Sequence, residues 1–425
     1  MNISIVVLDG FGIGAMPDAY RLRESDSRAN TAASLVQWAS DVRRKPLEIP
    51  NLLSVGLGLI DTELDSLRVN EDLPKPLERS GIVSRVRRAS LGYPGADTFA
   101  GHQTMMGADM TQVIMARVGE YLDPIIQPLE SAGHHVHLLD GDKPLIVVDG
   151  GILVHDNLEA DPALNWNVTG RLSEFTFDQI KDVALIVREV APVARVIAGG
   201  GYSGLPLTSY VRPGLEGTLG VDTPATGFYK NGGFQVVHLG ARIDHQHQLP
   251  QLAVSQGVAV NLIGKAADIL VTDNEVSRFP GVDSEANLAR TAQCMKQGRA
   301  DGAVATLNVT NIQETDLAGH QQDPARYVEV IELFDNWLGE QLGQLRSGDV
   351  LIITADHGND PLIGHSLHTR EFVPVIAITA SVAVVPGVVS WSRPLDSLAD
   401  IGASCAQMLG IDVGLMGNGH AVELV

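Results

Sequence analysis

The chain has 425 residues, of which 44% are hydrophobic and 19% are charged, so it can bury a core and is not of the disordered type. Its length predicts two or three domains. The formal net charge of −21 argues against nucleic acid as a partner, because a strongly acidic chain repels a phosphate backbone. The two cysteines form no disulfide framework and no signal segment is visible, so we expect a cytoplasmic protein.

Residues 372–392 contain no charged side chain and are long enough to span a membrane. Two prolines, Pro374 and Pro386, and two polar residues, Thr379 and Ser381, interrupt this segment. We therefore interpret it as a strand, a loop and a second strand of a buried sheet, and we expect no membrane partner.

The predicted strands are continuous apolar runs that lead into or follow polar segments. They comprise residues 3–8, 303–307, 350–354 and 373–378. Such strands, separated by helical segments, predict an α/β fold with a largely parallel sheet that is covered by helices on both faces. One helix is predicted to begin at Pro324, with Asp323 as its N-cap, and another is predicted over residues 398–409.

Residues 107–223 differ in character from the rest of the chain. They contain strand-like runs at 135–139 and 145–148 and a predicted helix near 177–190. We expect this segment to form an inserted, smaller α+β cap domain. Residues 1–106 and 224–425 are then the two parts of the core.

Acidic residues and histidines cluster next to the predicted strands. Ligands bind at the carboxyl ends of strands in open α/β sheets, and an acid beside a histidine offers one oxygen and one nitrogen ligand to a divalent metal. Three acids and three histidines suffice for two ions, which can clamp a phosphoryl transfer. The candidates are Asp9, Asp316, His320, Asp356, His357 and His368.

The small-residue segment 95–102 (GADTFAGH) contains one hydroxyl, that of Thr98. A threonine hydroxyl is a weak nucleophile that metal coordination can activate. The alternative interpretation is that Thr98 caps a helix that begins near Phe99. The two roles are compatible, because a helix N-terminus also directs amide hydrogens at a phosphate.

These motifs together resemble the alkaline phosphatase superfamily, and more closely its phosphopentomutase branch, over nearly the whole chain. The matching segments are VVLDGFGIGAMPDA at 6–19, GADTFAGH at 95–102, VAVNLIGKAADIL at 258–270, ITADHGNDP at 353–361 and HTREFVP at 368–374. The resemblance implies a phosphorylated threonine at Thr98. It also implies two divalent ions, with manganese as the usual metal.

The resemblance assigns a role to each candidate. Asp9, Asp356 and His357 would bind one ion together with Thr98, and Asp316, His320 and His368 would bind the other. Asp161, Lys265 and Arg370 are candidate substrate contacts. The implied reaction interconverts ribose 1-phosphate and ribose 5-phosphate, with a sugar bisphosphate as activator.

The chain departs from the family pattern in three places. Ala96, Gln103 and Thr104 replace a lysine, a tryptophan and a glutamate around the nucleophile. Asp316 lies four residues before His320 rather than five, as in the cofactor-independent phosphoglycerate mutases. The phosphate-binding arginine of the family falls on Gly199, and loss of an arginine removes a bidentate phosphate contact.

The sequence therefore leaves three functions open. The first is a phosphomutase that acts on a phosphorylated pentose or a related sugar. The second is a phosphatase or phosphomutase of the same superfamily with a different phosphorylated substrate. The third is a non-catalytic metal-binding protein. The oligomeric state is also left open.

Overall fold

The structure is a computed structural model that describes residues 1–61, 64, 81–111, 113–159, 162–241, 243–300, 305–380 and 387–425. In chain order its strands are β1 (Asn2–Leu8), β2 (Ile82–Ala89), β3 (Val136–Leu139), β4 (Lys143–Val148), β5 (Ile152–Asp156), β6 (Asn165–Arg171), β7 (Arg195–Gly201), β8 (Val211–Pro213), β9 (Leu219–Val221), β10 (Gln235–Gly240), β11 (Ala259–Ile263), β12 (Ser277–Phe279), β13 (Thr306–Ile312), β14 (Asp349–Thr354), β15 (Val373–Ala380) and β16 (Gly387–Ser390).

The α-helices are α1 (Thr31–Trp38), α2 (Pro50–Ser54), α3 (Thr98–Met105), α4 (Leu122–Ser131), α5 (Phe177–Val190), α6 (Thr223–Thr226), α7 (Leu249–Ser255), α8 (Ala266–Ile269), α9 (Ser284–Ala300), α10 (Glu314–His320), α11 (Pro324–Leu342) and α12 (Ala399–Met408). Short 3-10 turns occur at Ala19–Arg21, Glu24–Arg28, Leu57–Leu59, Val118–Glu120, Leu207–Tyr210, Leu215–Gly217, His245–His247 and Val413–Leu415, and a π turn at Ala39–Arg43. Among the described residues, no helix combines the length and the apolar character needed to cross a membrane.

The larger sheet has the strand order β12-β11-β13-β1-β14-β15-β2-β16. All neighbours from β12 to β14 are parallel, whereas β15 runs antiparallel to both β14 and β2. Strand β1 lies in the middle, and its apolar side chains are fully buried, as continuous apolar strands require. The predicted α/β class with a largely parallel sheet is confirmed.

The predicted helix signals also agree with the structure. Helix α11 begins at Pro324, and the Asp323 side chain accepts a hydrogen bond from the Arg326 amide at 3.1 Å. Helix α12 begins at Ala399, one residue later than predicted. The charge-free segment 372–392 contains the predicted strands β15 and β16.

The chain divides into two compact units, the first comprising Met1–Met110 with Asp244–Val425 and the second comprising Thr111–Ile243. The insertion was expected over 107–223. The second unit extends to Ile243 because β10 pairs with β7 in antiparallel register, from Gln235 opposite Gly200 to Gly240 opposite Arg195.

The second unit contains its own sheet, with the order β10-β7-β6-β5-β4-β3. One face packs against α4 and α5 through a core that includes Trp166, Ile125 and Val183. The opposite face packs Leu153 against Leu207 and Phe228 and their apolar neighbours. This unit therefore buries a hydrophobic core on both faces of its sheet.

Candidate metal centre

Most of the predicted site residues follow the carboxyl ends of parallel strands. Asp9 follows β1, Lys265 follows β11, Asp316 lies in α10 after β13, and Asp356 and His357 follow β14. Since β15 is antiparallel to β14, the segment before its first residue, which contains His368, reaches the same edge of the sheet. The topology therefore assembles the site from segments distant in sequence.

Asp9, Asp356 and His357 form one group of possible ligands, all of them fully buried. His357 Nε2 lies 3.3 Å from Asp9 Oδ1 and 3.5 Å from Asp356 Oδ2. The Gly10 amide donates to Asp356 Oδ1 at 3.2 Å. Gly10 has φ +79°, and a Cβ there would lie 2.9 Å from Asn359 Cβ, so glycine is required at this turn.

Asp316, His357 and His368 form a second group of buried possible ligands. Asp316 Oδ1 lies 3.2 Å from His368 Nε2 and 3.4 Å from His320 Nε2, and the two Nε2 atoms of these histidines are 3.0 Å apart. His357 thus belongs by distance to both groups, although the resemblance places it in the first one alone.

The three histidines present the same nitrogen to the centre. Each Nδ1 contacts a backbone carbonyl, and a carbonyl only accepts, so each Nδ1 must bear the hydrogen. The contacts are His320 with Ser366 at 2.6 Å, His357 with Gly358 at 3.0 Å and His368 with Ala96 at 3.0 Å. This pattern leaves every Nε2 available as a ligand, as in proteins whose metal-binding histidines are oriented by outer partners.

Thr98 is the first residue of α3, and the helix is capped by the preceding residue. The Asp97 side chain accepts a hydrogen bond from the Ala100 amide at 2.9 Å. The interpretation of Thr98 as the cap is therefore wrong, because the helix begins at Thr98 and the carboxylate of Asp97, one residue earlier, occupies that role. Thr98 Oγ1 instead lies 2.9 Å from His357 Nε2 and 3.2 Å from Asp9 Oδ1.

Residues 1–413 match the sequence model of the Metalloenzyme superfamily. The chain belongs to this superfamily. The membership predicted from the motifs is thereby confirmed at the level of the superfamily.

Solved structures similar to this chain come from several organisms. They include the PH0037 protein from Pyrococcus horikoshii, with 12% identity, 96% of each chain covered and a TM-score of 0.39. A Leishmania mexicana phosphoglycerate mutase at low cobalt concentration has 13% identity, 100% and 96% coverage of this chain and of that chain, and a TM-score of 0.40. The alkaline phosphatase from the Antarctic bacterium TAB5 has 10% identity, 96% and 98% coverage and a TM-score of 0.33.

Lys265 is the cation that the structure places between the two ligand groups of this metalloenzyme. Its Nζ lies 2.7 Å from Asp9 Oδ2, 3.3 Å from Thr98 Oγ1 and 3.6 Å from Asp316 Oδ2. Burial disfavours the ammonium, but Asp9 and Asp316 outweigh burial and raise the pKa of Lys265. Burial likewise opposes the charged form of Asp9, but Lys265 and His357 together outweigh burial, and the pKa of Asp9 is lowered.

The carboxylates also stabilise the protonated form of the His357 imidazole. Burial lowers its basicity, but Asp356, Asp9 and Asp316 outweigh burial and raise the pKa of His357 to about 10. A raised pKa indicates that a cation at this position is strongly stabilised. The site therefore has more negative charge than Lys265 alone neutralises.

The arrangement fits divalent ions. Asp356 Oδ2 is buried and accepts no hydrogen bond among the described residues, although the ring nitrogens of His102 and His357 lie 3.2 and 3.5 Å from it. A buried carboxylate oxygen without a hydrogen bond is stabilised when a cation contacts it. Carboxylate oxygens and imidazole nitrogens are ligands that zinc, manganese and similar ions accept. The metalloenzyme superfamily thus agrees with the chemistry of these donors.

Three further residues contact the ligands and were not singled out from the sequence. Asn311, at the end of β13, donates to Asp9 Oδ2 at 3.0 Å, and Asn359 donates to Asp316 Oδ1 at 2.8 Å. His102 Nδ1 contacts the Thr98 carbonyl at 2.9 Å and lies 3.2 Å from Asp356 Oδ2. His102 lies in GADTFAGH and Asn359 lies in ITADHGNDP. Their closeness in sequence to predicted ligands is the signal that would have identified these two residues.

Arg370, one of the predicted substrate contacts, binds groups of the protein itself. The Arg370 guanidinium binds both carboxylate oxygens of Asp18 at 2.9 Å and donates to the carbonyls of Tyr93 and Gly95 at 2.7 Å. Arg370 therefore anchors the segment that leads to Thr98, and its contact with substrate stays a prediction. Asp161 lies outside the described residues.

A buried carboxylate, Glu371, connects the loops that surround the site. It accepts hydrogen bonds from the Gly14 amide at 3.1 Å, the Thr31 amide at 2.9 Å and the hydroxyls of Thr31 at 2.7 Å and Thr369 at 2.6 Å. Burial, together with the charge of Asp360, raises the pKa of Glu371 to about 7. The side chain thus joins the segment after Asp9, the start of α1 and the segment after His368.

We predict that Glu371→Ala lowers the free energy of unfolding by about 3 kcal/mol or more, because it leaves several buried donors unpaired. Chemical unfolding of the metal-free protein measures this change. Glu329→Ala is the control, because its carboxylate is exposed and pairs with Arg326 at 3.1 Å, where a change close to zero is expected. Equal effects of the two substitutions would contradict the role given to Glu371.

Proposed function

We propose that this metalloenzyme is a phosphomutase that transfers a phosphoryl group through Thr98, with a phosphorylated pentose or a related sugar as substrate. The observation that supports it most is the position of the Thr98 hydroxyl, 2.9 Å from His357 Nε2 and 3.3 Å from Lys265 Nζ. A hydroxyl among metal-ligating groups at a helix N-terminus is suited to act as a nucleophile for phosphate.

Two divalent ions, manganese by the family resemblance, are part of the proposal. Asp9, Asp356, His357 and Thr98 would hold one ion, and Asp316, His320 and His368 would hold the other. When bound, the ions would lower the pKa of the nucleophile and stabilise charge on the transferred group. His357 lies near both ligand groups, which supports a contribution of His357 to both sites.

The residues then act in a defined order. In the first transfer, phosphorylated Thr98 gives its phosphoryl group to a sugar hydroxyl: the bond from phosphorus to the sugar oxygen forms as the bond from phosphorus to Thr98 Oγ1 breaks, and the sugar proton ends on Oγ1. In the second transfer, the other phosphoryl group of the resulting sugar bisphosphate passes to Thr98 Oγ1, and the proton ends on the sugar oxygen that this group leaves. Lys265 and the amides at the start of α3 would contact phosphate oxygens.

The proposed substrate is a phosphorylated sugar. Gly199 in β7 occupies the position of the family's phosphate-binding arginine, and a Cβ added there would meet only Phe234 Cε2, at 3.9 Å, within 4 Å. A Cβ at position 199 would therefore make no close contact, but this sequence has no side chain there. This supports a sugar phosphate that is bound without that arginine fork.

We predict that Thr98→Val, which removes the hydroxyl but preserves the shape, lowers phosphoryl transfer by on the order of 10³-fold or more. Thr98→Ser is the matched control and should retain activity. The protein, loaded with manganese, is incubated with labelled sugar phosphates, and labelled peptide, labelled sugar and free phosphate are quantified. Full activity of Thr98→Val would exclude Thr98 as the nucleophile, whereas release of all label as free phosphate would indicate a phosphatase.

We predict that chelation abolishes activity and that manganese restores it. Re-addition should also raise the free energy of unfolding, by about 2.7 kcal/mol at a metal concentration 100-fold above Kd. Unfolding curves of chelated and reloaded protein measure this shift independently of the substrate. Activity that persists after complete removal of metal would contradict the two-ion proposal.

We predict that Gly199→Arg raises kcat/KM for ribose 5-phosphate by about 10-fold or more, since hydrogen bonds between charged groups contribute about 1.5–3 kcal/mol. The control is Gly204→Arg, which adds the same charge where a Cβ would meet nothing within 4 Å. An equal effect of both substitutions would indicate nonspecific attraction rather than a phosphate contact at Gly199.

A further inference from the structure

A short segment, residues 364–368, determines the orientation of two histidines of the candidate centre. His368 belongs to this segment, and the Ser366 carbonyl accepts a hydrogen bond from His320 Nδ1 at 2.6 Å. Any shift of this backbone therefore moves one imidazole directly and removes the hydrogen-bond partner of the other.

We propose that Arg23, Asp26 and His365 are positioning residues that fix this segment and thereby set the affinity of one of the two ion sites. The inference rests on the proposed two-ion function. It assigns a role to residues outside the ligand groups and outside every motif used to predict the site.

Asp26 is the centre of this network. Its side chain is fully buried, and its Oδ1 contacts His365 Nε2 at 2.9 Å. Arg23 donates to both carboxylate oxygens, from Nε at 3.2 Å and from an amino nitrogen at 3.0 Å. Ser25 adds a hydroxyl donor at 3.1 Å. A buried carboxylate with this many donors is held in one orientation.

The network reaches the segment at both of its ends. The Leu367 amide donates to His365 Nδ1 at 3.3 Å, so the hydrogen of this ring lies on Nε2 and is donated to Asp26. Arg23 also donates to the His368 carbonyl. The side chains of Arg23 and His365 thus hold the backbone on either side of Ser366.

The network contacts one of the two proposed ion sites directly. It holds the His368 carbonyl and the segment whose Ser366 carbonyl orients His320, and both histidines are proposed ligands of the same ion. Asp9 follows β1, and Asp356 and His357 follow β14, so the sheet is the first support of their backbones, and Gly358 adds a pairing with Thr369 at 3.0 and 2.8 Å. Loss of the anchor should therefore weaken one ion and leave the other bound.

The test is equilibrium dialysis of the full chain against manganese, with bound metal counted by elemental analysis. For wild type we expect two ions. For His365→Ala we expect one ion to keep its affinity and the other to bind roughly 10-fold to 100-fold more weakly, the range typical when a partner of a ligand is lost. His365→Gln, whose amide can still donate to Asp26, should bind both ions nearly as wild type does.

Two further variants separate positioning from general damage. Arg23→Lys keeps a charge beside Asp26 but loses the planar fork that contacts Asp26 and the His368 carbonyl together, and it should weaken the same ion. His134→Ala removes another histidine–aspartate pair, in which His134 Nδ1 lies 2.7 Å from an Asp149 oxygen in the second unit. This substitution should leave the affinity for both ions unchanged.

The outcomes are distinguishable. Selective weakening of one ion, with the unfolding midpoint of the metal-free protein unchanged, supports the proposal. Two ions at wild-type affinity in both His365→Ala and Arg23→Lys would overturn it and leave the proposed function intact. Equal loss of both ions would also overturn it, because the network would then be structural. Fewer than two ions in wild type would contradict the proposed function as well.

Discussion

The buried carboxylates of Asp9, Asp316 and Asp356 are the constraint on which the rest of the site depends. Each is at most 3% exposed, and a buried charge is costly unless an opposite charge is near. Lys265 contacts two of them, and the pKa of His357 is raised by the same charges. The backbone contacts of the three imidazoles, the hydroxyl of Thr98 and the network around Glu371 all keep groups in place around this excess negative charge.

Much of the site could be predicted because acids and histidines at strand ends have few structural roles. Asp9, Asp316, Asp356, His357 and His368 lie together because parallel strands end at one edge, and the sequence patterns of those strands are strong. The alternative in which Thr98 caps α3 is wrong. It arose because Asp97 and Thr98 are both good caps, and only the backbone geometry distinguishes them. The contacts of Asn311 and Arg370 depend on tertiary packing, which no local pattern encodes.

In the second unit, too, local sequence signals predict a helix, whereas the end of the unit depends on a pairing between strands that are distant in sequence. Its helix α5 was expected near 177–190 and occupies Phe177–Val190, because its apolar periodicity and its Thr176 cap are local signals. The end of the unit depends on the pairing of β10 with β7. Residues 202–234 separate these two strands in the sequence. The fold does not identify the substrate, because the same fold can carry different substrate-binding residues.

The most direct test of the central claim is a crystal structure of manganese-loaded protein, with anomalous scattering used to locate the metal. We expect two anomalous peaks, one among Asp9, Thr98, Asp356 and His357 and the other among Asp316, His320 and His368. Lys265 should then have exchanged part of its contacts with the carboxylates for the ions. An absence of anomalous density at these side chains, with metal bound elsewhere or not at all, would contradict the account.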